Sequence, residues 1–307
     1  MKKDNELLKY VWGLYRVYAA TSRKLKSQIS TNRFWIIILT IMAAVFGVLC
    51  SQLPDWKIFS LSVFGIASTI SFGLATYFSK EIIKSAREKK HVIARSAAEA
   101  LKSVSYLFAT GTAPYDNGNA HDLFLEKSKN IRRNTDDILL KSLTDEDKEK
   151  GLIQKPMSIE TYIDERVAEQ IRNFYYPSSQ NNVRIINKWN RIIIICSIAG
   201  IILASIGTFG FSGITAAWVA VIGTITTAIT SFLFAGRFSY LSLSYQKTAQ
   251  LLEDHLAKWN ISDGSDEAKS DFITSCENTI SIENKAWMAE LSKKSKAIIP
   301  NSPTNER

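Results

Sequence analysis

Four long stretches of the sequence contain no charged residue and no histidine. They cover 34–53, 58–78, 192–210 and 214–235 and are 20, 21, 19 and 22 residues long. A helix needs about 20 apolar residues to cross roughly 30 Å of hydrocarbon, and uncharged helices in soluble cores are shorter. The pattern therefore predicts four membrane spans and excludes a purely soluble protein.

Very short connections group the spans into two hairpins. Residues 54–57 and 211–213 are breaker sequences that suit tight turns between antiparallel helices. With these turns outside, 37 of the 38 Lys and Arg residues share the other side, because only Lys57 lies in a turn. Basic residues near span ends mark the cytoplasmic face. We expect a multi-pass inner-membrane protein with both termini in the cytoplasm and too little outside to receive external ligands.

The two hairpins belong to an internal repeat. An offset of 158 residues aligns Asn-Arg-Phe at 32–34 with Asn-Arg-Ile at 190–192, where each hairpin begins. We divide the chain into a first unit, 1–160, and a second unit, 161–307. The first unit carries an insert at about 108–160. Because a hairpin returns the chain to its starting side, both hairpins point the same way.

The polar segments have the periodicity of amphipathic helices. Apolar residues at spacings of three, four or seven predict helices at 79–108, 237–260 and 266–299. No convincing alternation typical of strands occurs outside the spans. The fold class that follows is an all-α membrane protein, in which two tandem, parallel-oriented helical hairpins continue into a cytosolic helical bundle.

Composition adds charge but no sign of catalysis. The chain has 307 residues, a net charge of +9 and three cysteines, too few for a disulfide framework. We find no phosphate-binding glycine loop, no metal-ligand spacing and no nucleophile paired with a base. We therefore expect no enzyme, no cofactor and no metal site.

The last span carries hydroxyl groups on one helical face. These pore-lining candidates are Thr224, Thr227, Thr230 and Ser231. Hydroxyl groups can line a weakly selective pore, but small and hydroxylated residues also let helices pack closely. Both interpretations stay open at this stage. The absence of charge within the spans argues against a pump or a coupled transporter.

A basic face on the predicted cytosolic helices offers a second candidate site. Basic residues away from the spans, with aromatic residues nearby, suit a nucleotide or single-stranded nucleic acid. These ligand-binding candidates are Arg95, Lys102, Tyr106, Tyr115, Arg132 and Arg133. The alternative is solvated charge, or charge that attracts anionic lipid.

Short motifs resemble the SLATT family, the two-transmembrane effector domains associated with SMODS nucleotidyltransferases and SLOG proteins. In the second unit, the resemblance lies in the helix before the span and in the last helix, at Tyr162, Arg166, Gln170, Tyr175, Glu283 and Trp287. In the first unit, 106–109 followed by 113–115 resembles another subtype. Pro177 departs from the pattern of an uninterrupted helix before the second hairpin, and the sequence leaves the continuity of that helix open.

The resemblance implies a membrane effector of prokaryotic antiviral defence. Such an effector would be a homo-oligomeric channel in the lipid bilayer, gated by a nucleotide-derived ligand from a neighbouring nucleotidyltransferase, and its opening would depolarise the membrane and arrest growth. The Hailong type pairs a SLATT channel with an enzyme that makes single-stranded DNA oligomers, and the residues leave membership of that type open. The alternative function is a non-conducting scaffold that anchors or restrains a cytosolic partner.

Overall fold

The computed structural model describes residues 2–58, 61–84, 86–133, 135 and 138–297, without the side chains of 83–84, 211–212 and 283–297. These residues form ten α-helices, two very short strands and three π-helical segments. The prediction of an all-α chain is confirmed. In chain order the elements are α1 (Lys2–Gln52), β1 (Lys57–Ile58), β2 (Leu61–Ser62), α2 (Val63–Lys84), α3 (Arg87–Thr110), α4 (Ala120–Arg133), α5 (Asp145–Glu149), α6 (Ile159–Tyr162), the π segments Ile163–Ala168 and Gln170–Tyr175, α7 (Tyr176–Ile206), the π segment Gly207–Phe211, α8 (Ser212–Gly236), α9 (Phe238–Asn260) and α10 (Asp266–Ala297).

Among the described residues, three helical stretches are long and apolar enough to cross a membrane. They are Lys2–Gln52, Ile159–Gly210 and Gly213–Asn260. The last two contain the predicted spans 192–210 and 214–235, and the first contains all but the final residue of 34–53. The remaining predicted span, 58–78, corresponds to α2, which has 22 residues. At 1.5 Å per residue, α2 is about 33 Å long, close to the thickness of the hydrocarbon layer.

The first hairpin turn is longer than the four residues 54–57 suggest, and helix α2 begins five residues after the start of the predicted span 58–78. Lys57 pairs with Ser62 and Ile58 pairs with Leu61 in an antiparallel ribbon. The amide of Val63 donates to the carbonyl oxygen of Trp56 at 3.1 Å. These hydrogen bonds satisfy the backbone as a ribbon, and α2 begins only at Val63.

The second hairpin reverses earlier than predicted. Phe209 and Gly210 leave the helical conformation, with φ of −92° and +99°, and α8 already begins at Ser212. The predicted turn at 211–213 is therefore displaced towards the N-terminus. Glycine adopts a positive φ without the steric penalty of a Cβ atom, which places the reversal at Gly210.

The predicted helix 79–108 is divided in the structure. Helix α2 continues to Lys84 and α3 runs from Arg87 to Thr110, with Ala86 in a left-handed conformation (φ +46°) between them. In the second unit, Arg237 (φ +52°) likewise separates α8 from α9. The last predicted helix, 266–299, matches α10 as far as Ala297, and 298–299 lie outside the described residues.

Pro177 does not break the helix before the second hairpin. A single helical stretch extends over Ile159–Gly210, and the π segment Gln170–Tyr175 directly precedes α7. A π-helical turn is wider than an α-helical turn. We attribute the uninterrupted helix to this wider turn, which accommodates the proline ring and its missing N–H.

The chain forms two compact units. We call the first the bundle (Met1–Lys26, Arg87–Ser178 and Ser244–Arg307) and the second the span unit (Ser27–Ala86 and Ser179–Leu243). Each compact unit contains segments from both halves of the sequence. The repeat units predicted at 1–160 and 161–307 therefore describe the sequence duplication, while the packing follows a different division.

The predicted insert belongs to the core of the bundle. Phe108 of α3 and Phe124 of α4 are both fully buried, and their rings stack at 4.3 Å between centroids. The ring of Tyr115 lies edge-on to Phe124 at 5.9 Å. The amide of Met157 donates to the carbonyl oxygen of Ala109 at 2.9 Å. The insert thus covers α3 with a packed apolar layer.

The span unit has polar contacts inside and large apolar side chains outside. Ser68 of α2 donates to the carbonyl oxygen of Ala43 at 2.8 Å, and the hydroxyls of Ser179 and Ser242 lie 3.0 Å apart. Outward-facing residues of α2, α7 and α8 are 66–78% exposed, among them Phe72, Ile195, Ile201 and Phe234. Such an apolar surface is typical of helices solvated by lipid.

Candidate functional site: a buried charge cluster and a hydroxyl face

An arginine with no solvent exposure lies at the centre of the bundle. Arg166 lies in the π segment Ile163–Ala168 and is 0% exposed. Its Nε donates to Oε1 of Glu277, and its Nη2 donates to Oε2, both at 2.9 Å. Two parallel hydrogen bonds between a guanidinium and a carboxylate form the strongest geometry for such a pair. Glu277 of α10 is itself only 3% exposed.

Tyrosine rings enclose this ion pair. The hydroxyl of Tyr162 donates to Oε1 of Glu277 at 3.1 Å. The guanidinium carbon of Arg166 lies 5.0 Å from the centroid of the Tyr106 ring, within the range of a cation–π interaction. Tyr106 and Tyr162 meet edge to face at 5.8 Å. The enclosing rings keep water away from the pair and strengthen its electrostatic attraction.

Burial and charge act in opposite directions on the pKa values of the pair. Burial alone would raise the pKa of the Glu277 carboxyl, but the adjacent Arg166 guanidinium outweighs burial and lowers that pKa. Burial would lower the pKa of Arg166, yet Glu277 raises it well above its ordinary value. Burial, followed by the charge of Glu277, also raises the pKa of Tyr162. Both members of the ion pair are therefore charged, and Tyr162 stays a neutral donor.

One hydrogen-bond donor of the cluster, Nη1 of Arg166, lacks an acceptor among the described residues. Nη1 of Arg166 is buried and makes no hydrogen bond to any side chain or backbone atom that the structure describes, although Oε2 of Glu99 lies 4.0 Å away. The nearby ammonium of Lys102 lies 5.7 Å from the ring centroid of Tyr15. Burial, followed by the charge of Arg166, lowers the pKa of Lys102 to about 8. Both Arg166 and Lys102 therefore lie near the partly exposed carboxylate of Glu99.

The motif residues of the second unit differ in their environment. Tyr162, Arg166 and Tyr175 are buried, and the ring of Tyr175 lies 6.1 Å from that of Tyr245. Gln170 is partly exposed. Glu283 and Trp287 lie on α10, but their side chains fall outside the described residues.

The sequence motifs overlooked the carboxylate that binds Arg166. Glu277 is not among the motif residues, but it lies four residues after Ile273 and three before Ile280, on the apolar stripe of α10. Ile273 and Ile280 are buried. An acidic residue within an apolar stripe is rarely buried without a partner. The position of Glu277 within an apolar stripe was therefore the sequence signal that could have predicted a buried ion pair.

The ligand-binding candidates do not form one site. Lys102 and Tyr106 belong to the charge cluster, and Tyr115 packs against Phe124. Tyr106 and Tyr115 are each only 3% exposed. Their rings therefore lie within the protein core and offer no open face on which a base could stack.

The other three candidates lie elsewhere in the bundle. Nη1 of Arg95 donates to the hydroxyl of Tyr245 at 3.2 Å. On the exposed end of α4, Nη1 of Arg132 donates to the hydroxyl of Tyr10 at 3.0 Å. Arg133 lies beside Arg132 and donates to Oδ1 of Asn130 at 3.5 Å.

The pore-lining candidates form a face of α8 that no other described part of the chain covers. Thr227, Thr230 and Ser231 are exposed and Thr224 is partly exposed. The Thr224 and Thr230 hydroxyls donate to carbonyl oxygens one turn earlier, at 3.0 and 2.8 Å. On the same face, a Cβ atom added to Gly223 would meet open space. We call Gly223, Thr224, Thr227, Thr230 and Ser231 the hydroxyl face.

Comparison with protein families identifies both halves of the chain. Residues 13–159 match the SMODS and SLOG-associating 2TM effector domain 3, and residues 162–287 match the SMODS and SLOG-associating 2TM effector domain 1. This chain is a tandem SLATT protein. SLATT domains are two-transmembrane effector domains associated with defence systems. The tandem SLATT protein matches no curated protein sequence and no solved structure at a significant level.

The family match shows how the charge cluster is shared. Arg166 and Glu277 belong to the second SLATT domain, whereas Glu99, Lys102 and Tyr106 belong to the first. The part of the cluster where Arg166 faces Glu99 and Lys102 is therefore a contact between the two SLATT domains, within the bundle.

Proposed function

We propose that this tandem SLATT protein is a homo-oligomeric ion channel and acts as the membrane effector of a prokaryotic antiviral defence system. The observation that carries the proposal is the hydroxyl face of α8. It is free of charge, lies in a predicted span and is exposed with respect to all the residues that the structure describes. Contact with further copies around a conduit would bring Thr227, Thr230 and Ser231 next to water.

The proposed topology has four spans in the inner membrane and both termini in the cytoplasm. Helix α2, with 22 residues, is the fourth span, alongside the three long apolar stretches. The exposed apolar side chains of α2 and α7 would then face lipid. The basic bundle would lie in the cytoplasm, as the distribution of Lys and Arg favours.

A pore lined by threonine and serine has no fixed charge with which to choose between ions. Such a pore conducts with weak selectivity once apolar constrictions become wet. Opening would collapse the membrane potential and arrest growth, which is the outcome expected of a defence effector.

The proposed gating signal is a nucleotide-derived ligand, such as a single-stranded DNA oligomer, made by a neighbouring nucleotidyltransferase. Among the candidate residues, Arg132 and Arg133 are exposed, and the ring of Tyr10 beside them is 52% exposed. Cationic side chains with an exposed aromatic ring suit the backbone and bases of a short single strand. We place the ligand contact on this end of α4.

Single-channel recording in planar bilayers tests the conduit. Replacing Thr227 and Thr230 by valine removes two hydroxyls at nearly constant volume, and the unitary conductance should fall. Thr226→Val is the matched control, because Thr226 is only partly exposed and donates to the carbonyl oxygen of Gly223 at 3.0 Å. An unchanged conductance in the double variant, or an equal change in the control, would refute the assignment of the pore face.

A non-conducting scaffold is the second candidate function, and the spacing of Gly223, Thr227 and Ser231 favours it. Small residues four apart let two helices approach closely, so the hydroxyl face would then be a packing surface. Bilayers that stay silent with and without a single-stranded DNA oligomer, while the protein remains oligomeric, would establish the scaffold. Depolarisation of cells that express the inserted protein would exclude it.

A further inference from the structure

Three hydrogen-bond donors beside the buried ion pair have no acceptor among the residues that the structure describes. They are Nη1 of Arg166, the ammonium of Lys102 and the hydroxyl of Tyr15. Nη1 of Arg166 is buried, whereas Lys102 and Tyr15 are partly exposed. A buried charged donor without an acceptor costs free energy, and native proteins satisfy such groups through a water or a ligand. The three donors therefore suit a ligand that is rich in acceptors.

The three donors lie close enough together to contact one small ligand. The ammonium of Lys102 lies 5.7 Å from the ring centroid of Tyr15. Burial, followed by the charge of Arg166, lowers the pKa of Lys102. Burial, followed by the charge of Glu99, raises the pKa of the Tyr15 hydroxyl. All four residues belong to the bundle, so their arrangement is defined within one compact unit.

The carboxylate of Glu99 faces these donors. Its Oε2 lies 4.0 Å from Nη1 of Arg166, which is too far for a hydrogen bond. The side chain of Glu99 is 32% exposed, and side chains that reach solvent change rotamer rapidly. A rotamer change of Glu99 would therefore let a small ligand from solvent reach Nη1.

The charge of Glu99 restricts which anions can bind beside it. An ionised carboxylate only accepts hydrogen bonds, so it repels an anion that carries no proton, such as sulfate. An oxyanion that retains a proton, such as hydrogen phosphate or bicarbonate, can donate a hydrogen bond to Glu99 while its other oxygens accept from the three donors. Repulsion of the wrong ligand is as effective a source of specificity as attraction of the right one.

We propose that Arg166, Lys102 and Tyr15 form a binding site for a protonated oxyanion, which Glu99 selects by accepting its proton in a hydrogen bond. The first SLATT domain supplies Tyr15, Glu99 and Lys102, and the second supplies Arg166. The bound anion therefore stabilises the contact between the two SLATT domains in the bundle. This site is separate from the proposed ligand contact on α4, and it does not depend on the proposed channel.

Isothermal titration calorimetry of the full-length protein in detergent, at pH 7 in a buffer without phosphate, tests the site. Inorganic phosphate and bicarbonate are the two probes that carry a proton, and the tighter of the two identifies the source of the anion. Sulfate is the probe without a proton, and it should bind at least about tenfold more weakly, because it leaves the Glu99 carboxylate beside an unprotonated oxygen.

Variants of the partly exposed residues locate the anion without removing the buried ion pair. Lys102→Met deletes a charged donor and should weaken binding of the tighter probe by about tenfold or more. Tyr15→Phe deletes a neutral donor and should weaken it by about fivefold. Glu99→Gln should reduce the preference for that probe over sulfate. Lys89→Met, at an exposed position of α3, is the matched control and should leave the affinity unchanged.

The affinity should also fall between pH 7 and pH 9. The pKa of Lys102 is about 8, so its ammonium donates below that pH and is lost above it. The fall should be smaller in Lys102→Arg, which keeps its charge. The groups that act on Lys102 from the surrounding elements are Tyr15, Glu99, Arg166, Glu169 and Glu277.

Several results would overturn the site. Equal binding of sulfate and of the protonated probes would contradict the selection by Glu99. Unchanged binding in Lys102→Met, together with loss of binding in Arg132→Gln, would place the anion on the end of α4 instead. If neither phosphate nor bicarbonate binds at millimolar concentration, water satisfies Nη1 of Arg166 and the proposal fails, while the channel proposal is unaffected.

Discussion

Replacing Lys102 by methionine should stabilise the protein, although it deletes a charge from a charged cluster. The surroundings lower the pKa of Lys102 from 10.5 to about 8. At about 1.4 kcal/mol per pH unit, the fold disfavours the charged ammonium by about 3 kcal/mol. Methionine keeps the length of the stem and has no charge to desolvate. Because Lys102 is partly exposed, about 3 kcal/mol is the upper limit of the gain.

The gain should depend on pH in a defined direction. Below pH 8 the lysine is charged in both the folded and the unfolded protein, so the penalty is complete. Between pH 8 and 10.5 the folded protein has lost the proton while the unfolded chain retains it, so the penalty declines by about 1.4 kcal/mol per pH unit and is gone above pH 10.5. The groups around the ammonium are Glu99, Arg166, Glu169, Glu277 and the ring of Tyr15.

Thermal unfolding of the full-length protein in detergent measures this effect. With about 2–4 °C per kcal/mol for a domain of this size, Lys102→Met should raise the midpoint by several degrees at pH 7 and by little at pH 10. Lys148→Met is the control, since Lys148 is partly exposed and pairs at 2.8 Å with the 90% exposed side chain of Asp145. A lower midpoint at pH 7, or a difference that does not vary with pH, would contradict the reasoning.

Three further predictions concern the bundle. Glu277→Gln leaves Arg166 buried without its counter-charge and should lower the free energy of unfolding by about 3–5 kcal/mol. Glu99→Gln should lower it by about 1 kcal/mol or less, because the ion pair of Glu99 is long and partly exposed. Melting curves of the two variants give the comparison, and equal losses would contradict it. Phe124→Ala should cost about 3–5 kcal/mol in the same assay, because it opens a cavity beneath α3, and a loss below about 1 kcal/mol would refute the packed insert. Cys276 is 0% exposed, and burial raises the pKa of its thiol. In a variant that lacks the other two cysteines, maleimide should therefore label the protein only after unfolding. Fast labelling of the native protein would contradict the burial of Cys276.

The sequence predicts the parts of this fold that depend on long runs of similar residues. Spans appear as uncharged stretches because hydrocarbon excludes charge over a length set by the bilayer. Helix ends depend instead on local hydrogen bonding. The ribbon at 57–62 shortens the predicted span 58–78, since backbone pairing there competes with the first turn of α2.

The candidate site was less predictable, because it depends on contacts between distant residues. The motif identified Tyr162 and Arg166, but their partner Glu277 lies more than 100 residues away. Tyr106 and Tyr115 were predicted to contact a ligand because the sequence places aromatic rings near basic residues. Whether solvent reaches such a ring depends on packing between distant residues, which the sequence pattern does not show. The left-handed conformations at Ala86 and Arg237 have no sequence signal, since neither residue is one that favours them.

The interleaving of the two compact units has a consequence for the gene. A cut between codons 160 and 161 would separate the two family domains cleanly in sequence, yet each product would lack segments that complete both the bundle and the span unit. Neither product should fold or insert correctly alone, and activity should return when both are synthesised in the same cell. Fusion in one reading frame therefore fixes a one-to-one ratio of two diverged domains, which separate genes would have to achieve through balanced translation.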